Sequence, residues 1–164
     1  MFIYIFQHNK LLYIRGPLGL LRYNVPSGID ICKYRSMVYI SGQKAAHPLV
    51  AMSHRIVCQK MKGLEVGFSE IMIIAGMGWR VDKEDVLLKF TIGYSHIVHY
   101  LIPNDIEIVL LSKNLFKIFG SDLSRIQCIA SELCKLRSSD VYKGKGIRRQ
   151  AFKVVLKSST KSKV

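Results

Sequence analysis

The sequence predicts an α+β chain of two tandem similar repeats, each a small, mainly antiparallel sheet packed by one helix, with a basic C-terminal extension. Three observations carry that prediction: a stretch of 19 residues recurs at a fixed offset, each copy leads into one amphipathic helix, and basic residues gather after the second helix. The chain of 164 residues is long enough for two small units, since roughly 60 residues is about the least that buries a usable core. Hydrophobic residues make up 49% of it and prolines number only four, a composition for packed cores rather than disorder.

From the start of the chain, Met1 to Phe6 is apolar but lacks a basic flank and is cut off by Gln7, His8, Asn9 and Lys10. It reads as an edge segment of the fold, not as a signal peptide or an Arg-rich presequence. Tyr13 to Ile31 then matches Phe90 to Ile108 at an offset of 77. Gly16, Tyr23, Pro26, Ile29 and Ile31 fall on Gly93, Tyr100, Pro103, Ile106 and Ile108, five identities where about one is expected by chance. At an offset of 78, Ile40 and Gly42 fall on Ile118 and Gly120, as if one residue had been inserted in the hairpin between.

A helix is expected over 49–62, opened by Pro48, with Leu49, Val50, Met52, Ile56, Val57 and Met61 on one half of its circumference and Gly63 as its stop. The repeats then join near Gly63 to Gly67. Ile71 to Ala75, Trp79 to Val81, Val86 to Ile92 and Ile106 to Leu111 read as strands, with Asp82 to Asp85 as a turn and Ser112, Lys113 and Asn114 as a hairpin loop. The second helix is expected over 122–137: Ser121 suits the N-cap, and Leu123, Ile126, Ile129, Ala130, Leu133, Cys134 and Leu136 span an arc of about 160°. That stripe is core. The domains are therefore expected at 1–63, 64–141 and, for the basic loop and tail, 142–164.

The charge of +14 (25 Lys and Arg against 11 Asp and Glu) calls for a polyanionic partner, nucleic acid or an acidic membrane surface. Arg137 to Val164 hold nine basic residues against the one acid Asp140, so net +8 lies at the C-terminal end. The longest apolar run, Ile71 to Gly78, falls well short of the roughly 18 residues that cross a bilayer, so no membrane span is expected.

No catalytic constellation is evident. The four cysteines, Cys32, Cys58, Cys128 and Cys134, lack C-x-x-C spacing and are expected as reduced, buried thiols, with no metal and no cofactor. Cys128 and Cys134 diverge by about 120° on a helix, too far to share a metal. His96 and His99, three apart on an expected strand, point to opposite faces. Gly76-Met77-Gly78-Trp79 lacks the third glycine and the following helix of a dinucleotide loop, and reads as a turn or bulge.

The informative segment is Tyr142-Lys143-Gly144-Lys145-Gly146-Ile147-Arg148-Arg149. Alternate glycines let a backbone approach a surface, the interleaved cations neutralise phosphates, and Tyr142 offers a ring to a base or ribose. It is not a Walker loop, since the G-x-x-x-x-G-K-[ST] pattern and its helix are missing.

These residues resemble the Y-K-G-K-G-[IV]-[KR] signature near the C-terminus of the ribosomal protein L6 family. In the same order, Gly76-Met77-Gly78-Trp79-Arg80 is similar to its G-[VT]-G-[YF]-[RK] and Ile92-Gly93-Tyr94-Ser95-His96 to its L-G-[FY]-S-H, with weaker similarity from about Leu12 to Lys153. The resemblance implies two tandem α+β repeats and a structural, non-enzymatic constituent of the large ribosomal subunit. It implies binding to large-subunit rRNA near the sarcin-ricin loop and the translation-factor site, beside neighbouring ribosomal proteins and without homo-oligomers. The rRNA contacts it implies are Tyr142, Lys143, Gly144, Lys145, Gly146, Arg148, Arg149 and Lys153, together with Arg80, Ser95, His96 and Arg137.

Two departures stand out: Ile97 replaces the proline after S-H, and Arg137-Ser138-Ser139-Asp140-Val141 replaces R-R-P-E-P. With the Ile- and Lys-rich composition they suggest a divergent organellar protein, mitochondrial in the first instance, with a plastid or the bacterial cytoplasm as the alternatives. A free-standing RNA-processing or regulatory factor would share the basic tail. It would bind isolated RNA reversibly and not sediment with ribosomal subunits.

Overall fold

The computed structural model describes residues 3–8, 10–34, 37–42 and 47–158. The chain forms two compact units, one of residues 1–68 with 121–123, the other of 69–120 with 124–164.

In the first unit, β1 (Tyr4–His8), β2 (Leu11–Gly16) and β3 (Gly19–Asn24) form an antiparallel meander in that order, and β4 (Ile29–Tyr34) and β5 (Met37–Gly42) form a hairpin. Of the expected edge segment, Tyr4 to Phe6 lie on the edge strand β1, and Met1 and Phe2 fall outside the described residues. Strand alternation sends Leu12 and Ile14 of β2 inward, where they meet Tyr23, Val25, Ile29, Ile31 and, from α1 (His47–Glu65), Val57 and Leu64. Gly16 is required at its place, because a Cβ there would lie 2.7 Å from the Leu64 Cβ. Among the described residues Ser53 is the buried polar side chain, and the Tyr23 hydroxyl at 2.8 Å satisfies it.

α1 runs through the expected stop. Gly63 is a buried helical position facing the Phe68 ring, and the helix ends at Glu65, capped by Gly67 at a φ of 80° with N–H bonds from Val66 to Lys62 and from Gly67 to Gly63. Both glycines fit a stop by type, and only the packing against Phe68 separates them.

The second unit repeats the order. β7 (Arg80–Glu84), β8 (Leu87–Thr91) and β9 (Val98–Leu101) form a meander, β10 (Ile106–Ser112) and β11 (Leu115–Gly120) a hairpin, and α2 (Leu123–Leu136) follows. Ile106 and Ile108 are buried, as are their repeat partners Ile29 and Ile31. Tyr100, the partner of Tyr23, likewise bonds its own helix, through Glu132 at 2.9 Å. Ile126, Ile129, Ala130 and Leu133 of α2 are buried, the centre of the stripe read from the sequence, while Leu123, Cys134 and Leu136 are half-buried.

Two strands extend this second sheet. β6 (Phe68–Ala75) and β12 (Gly146–Arg149) complete the order β10-β11-β6-β12. Three expectations are corrected. The turn after β7 is only Asp85-Val86, because Asp85 adopts a φ of 47° and lets Glu84 pair with Leu87, so Asp82 to Glu84 remain strand. His96 lies in the bend before β9 while His99 is on it, since Gly93 at a φ of 78° turns the chain out of the sheet. None of the four cysteines is buried: Cys32, next to the inward Ile31 on β4, and Cys128 are exposed, and Cys58 and Cys134, on α1 and α2, are half-exposed.

Candidate nucleic-acid interface

The glycine-bearing segment is less a free loop than a hairpin stitched onto the second unit. Ile147 N–H donates to the Arg137 carbonyl (2.8 Å), Asp140 N–H to the Lys145 carbonyl (2.8 Å), and Gly144 N–H to the Asp140 carbonyl (2.9 Å). The Asp140 carboxylate accepts the N–H groups of Tyr142 (3.2 Å) and Lys143 (3.0 Å). Those bonds hold its pKa below the usual carboxylate value, so the anion is kept for shaping the turn. From Gly146 the chain pairs with β6, Ile147 opposite Ile74 and Arg149 opposite Met72, and Lys157 N–H returns to the Val141 carbonyl at 2.9 Å.

This stitching divides the expected contact residues. Tyr142, Lys143 and Lys145 are exposed and Gly144, at a φ of 68°, is half-exposed at the turn. Gly146, expected at the RNA surface, is buried, its missing Cβ only 2.5 Å from the Ser139 Cα, so it serves packing rather than backbone approach. Ile147 and Arg149 face α2: Ile147 is buried, and Arg149 donates from Nη2 to the Gln127 carbonyl (3.0 Å) and the Ser131 hydroxyl (2.8 Å). Arg148, between them, points to the opposite sheet face. Lys153, Ser95 and His96 are exposed, and Arg80 is held by Asp82 at 3.3 Å.

Beside the turn lies a groove of about 580 Å³ lined by Trp79, Tyr94, Lys135, Leu136, Arg137, Ser138, Asp140, Lys143 and Lys145. Its wall explains two of the sequence motifs. A Cβ at Gly76 would fall 2.3 Å, and one at Gly93 3.0 Å, from the Trp79 indole, so both glycines make room for that ring. Tyr94 donates its hydroxyl to the Leu136 carbonyl at 3.0 Å, which pins the bend to the end of α2. Over these rings lies the Arg137 guanidinium, 4.8 Å from the Tyr94 centroid and 5.7 Å from that of Trp79, and His96 stacks on Tyr94 at 5.9 Å.

The groove therefore gathers Arg137, Lys143 and Lys145, while Arg80, Arg149 and Lys153 stay outside its lining. Three flat groups joined to mobile ammonium groups suit a phosphodiester chain with its sugars and bases. Sequence reasoning passed over Trp79, Tyr94 and Asp140, although Trp79 and Tyr94 stand inside the quoted motifs; an aromatic flanked by glycines is the signal that marks them.

Activated groups are not found here. Burial pushes the Cys134 thiol up, away from a thiolate nucleophile, and among the described residues no group of three His, Cys, Asp or Glu could hold a metal ion. No helix among the described residues is long and apolar enough to cross a membrane.

The family described as Ribosomal protein L6 matches residues 75–150, the stretch from the end of β6 through β12. The large ribosomal subunit protein uL6c of Porphyra purpurea is 32% identical over 94% of this chain and 88% of its own length. That of Pyropia yezoensis is 33% identical over 87% and 81%. The bacterial uL6 of Nitrosospira multiformis is 28% identical over 90% and 85%. Members of this family are structural proteins without enzymatic activity. A repeated α+β unit, a glycine-framed tryptophan, a stitched basic hairpin and similarity along nearly the whole length lead to one assignment: the chain belongs to the ribosomal protein L6 family of the large ribosomal subunit.

Proposed function

We propose that the second unit docks the protein on large-subunit rRNA through the groove and the turn beside it. Lys143 and Lys145 neutralise phosphates there, Arg148 takes a further phosphate from the sheet face away from α2, Arg137 and Tyr94 present flat faces to ribose or base, and Tyr142 and Gly144 lie against the backbone at the tip. Lys153, Ser95 and His96 extend this contact at its margins. The supporting observation is the Arg137 guanidinium stacked over Tyr94 on the same groove that Lys143 and Lys145 line. A guanidinium held flat by a ring has lost little further freedom to lose on binding, which favours a specific over a merely electrostatic contact.

The docking site on the RNA is the sarcin-ricin region beside the translation-factor site, with ribosomal proteins as neighbours. The host ribosome is organellar, mitochondrial in the first instance; the bacterial and plastid-type relatives keep a plastid or the bacterial cytoplasm as the alternatives. A sucrose gradient of organelle lysate should carry the chain with the large subunit. A photo-crosslinker placed at position 143 should then mark the sarcin-ricin region. Sedimentation at the top of the gradient would overturn the ribosomal role of this chain, and crosslinks confined to other rRNA regions would overturn the location.

A further inference from the structure

The first unit carries a second surface that the basic hairpin does not explain. Pairing across β1, β2 and β3 aligns Phe6 with Tyr13 and Tyr13 with Arg22, and in the neighbouring row Tyr4 with Arg15 and Arg15 with Leu20. The alternate residues Leu12, Ile14 and Tyr23 are buried in the core, so both rows stand on the opposite face, turned to solvent. Tyr4 is 59% and Phe6 51% exposed, and the Phe6 and Tyr13 rings stack at 5.0 Å and 6°. These rings are not needed to bury the core, which is filled from the other side.

The charge on this face has one sign. The first acid of the chain is Asp30, and Lys10, Arg15 and Arg22 all precede it. Among the described residues, neither Arg15 nor Arg22 enters an ion pair. Each row joins a ring to an arginine, and this charge of one sign, on a chain of net charge +14, is matched by a polyanion that also offers flat rings. β1 is an edge strand, so among the described residues no further strand pairs beyond Phe6.

We infer that the outer face of the β1-β2-β3 sheet is an RNA platform on which unpaired nucleotides stack on Phe6 and Tyr4 while Arg15 and Arg22 take the adjoining phosphates. Sheet-borne rings serve unpaired bases because every base has a π-face, whereas a duplex hides those faces. The protein thereby grips RNA at two independent places, the hairpin of the second unit and this sheet of the first.

The test uses the full chain with Lys143→Ala, Lys145→Ala and Arg148→Ala as background, so that failure of the hairpin proposal does not touch this one. The probes are a single-stranded oligoadenylate and a duplex of equal length, titrated at several salt concentrations. The single strand should bind better than the duplex, and ultraviolet crosslinks should map to Tyr4, Phe6 or Tyr13. Tyr4→Ala with Phe6→Ala should weaken single-strand binding roughly tenfold or more with little change in salt slope. Arg15→Gln with Arg22→Gln should flatten the slope of log affinity against log salt by about 1.4. Circular dichroism should stay unchanged for both pairs, since all four side chains face solvent. Equal affinity for the duplex, an unaltered affinity in the Tyr4 and Phe6 variant, crosslinks confined to the second unit, or a self-association abolished by Phe6→Ala without RNA crosslinks would each overturn the proposal.

Discussion

Gly146→Ala separates a packed hairpin from a free basic loop. At this position φ is 151°, and an added Cβ would stand 2.5 Å from the Ser139 Cα, 2.7 Å from the Ser138 oxygen and 2.7 Å from the Ser139 nitrogen. All three are backbone atoms that no rotamer can move aside. Overpacking costs about 1–3 kcal/mol and an unfavourable backbone conformation a similar amount, about 3–5 kcal/mol together. For a domain of this size each kcal/mol lowers Tm by about 4–8 °C, so a fall of roughly 15 °C or more is expected. Gly144→Ala is the control, because its φ of 68° brings the same kind of strain but its Cβ meets only the flexible Leu156 Cδ2 at 3.3 Å. That variant should lose about 1 kcal/mol, roughly 5 °C. Thermal melts of both variants followed by circular dichroism decide the matter. If Gly146→Ala melts within about 3 °C of Gly144→Ala, the packing of β12 against Ser138 and Ser139 is not what holds the segment, and the argument from its geometry fails.

Three further outcomes follow from the same site and its surroundings. Replacing Lys143, Lys145 and Arg148 together by Ala should flatten the salt slope of rRNA binding by about 2, while Arg149→Ala, which breaks the bonds to Gln127 and Ser131, should lower Tm more than it changes that slope; the reverse pattern in filter-binding and melting data would reassign the arginines. The Asp140 carboxyl, depressed by the Tyr142 and Lys143 N–H bonds, stabilises the turn above the ordinary carboxylate pKa, and that contribution disappears as pH falls through its lowered folded value; NMR titration should show the Tyr142 and Lys143 amides shifting together in acid, a transition absent in Asp140→Ala. Tyr100, raised to about 12 by burial and then by its bond to Glu132, contributes stability below the ordinary tyrosine pKa of 10.0 that is lost as pH rises towards 12; ultraviolet titration should find one of the eight tyrosines ionising late, and Tyr100→Phe should remove that late step.

The repeat made much of the fold legible. Each copy carries its own period-two and helical patterns, and the match of Tyr23 with Tyr100 and Ile29 with Ile106 places elements that single-strand reading leaves vague. α2 was located to within a residue at either end, because its apolar stripe has no competing reading. α1 was cut short at Gly63, since local sequence does not distinguish a glycine that ends a helix from one that lets Phe68 approach it. β12 escaped notice for another reason. Its four residues contain one apolar side chain among glycine and arginines, and its partner Ala75 lies far away in sequence opposite Gly146. A strand that owes its existence to a distant edge leaves little periodicity of its own.

Composition, the internal repeat and the ordered motifs determined the α+β class, the basic character of the C-terminal end and the likeness to the L6 family, because burial pattern, charge and short signatures are local properties of the chain. Which cations remain free was decided by tertiary structure alone. In the sequence Lys145, Arg148 and Arg149 are equivalent charges. Pairing of β12 with β6 turns Arg149 onto the carbonyl of Gln127 and its neighbour Arg148 to the opposite face, since strand side chains alternate and only the folded sheet says which face α2 covers, while Lys145, ahead of the strand, lines the groove.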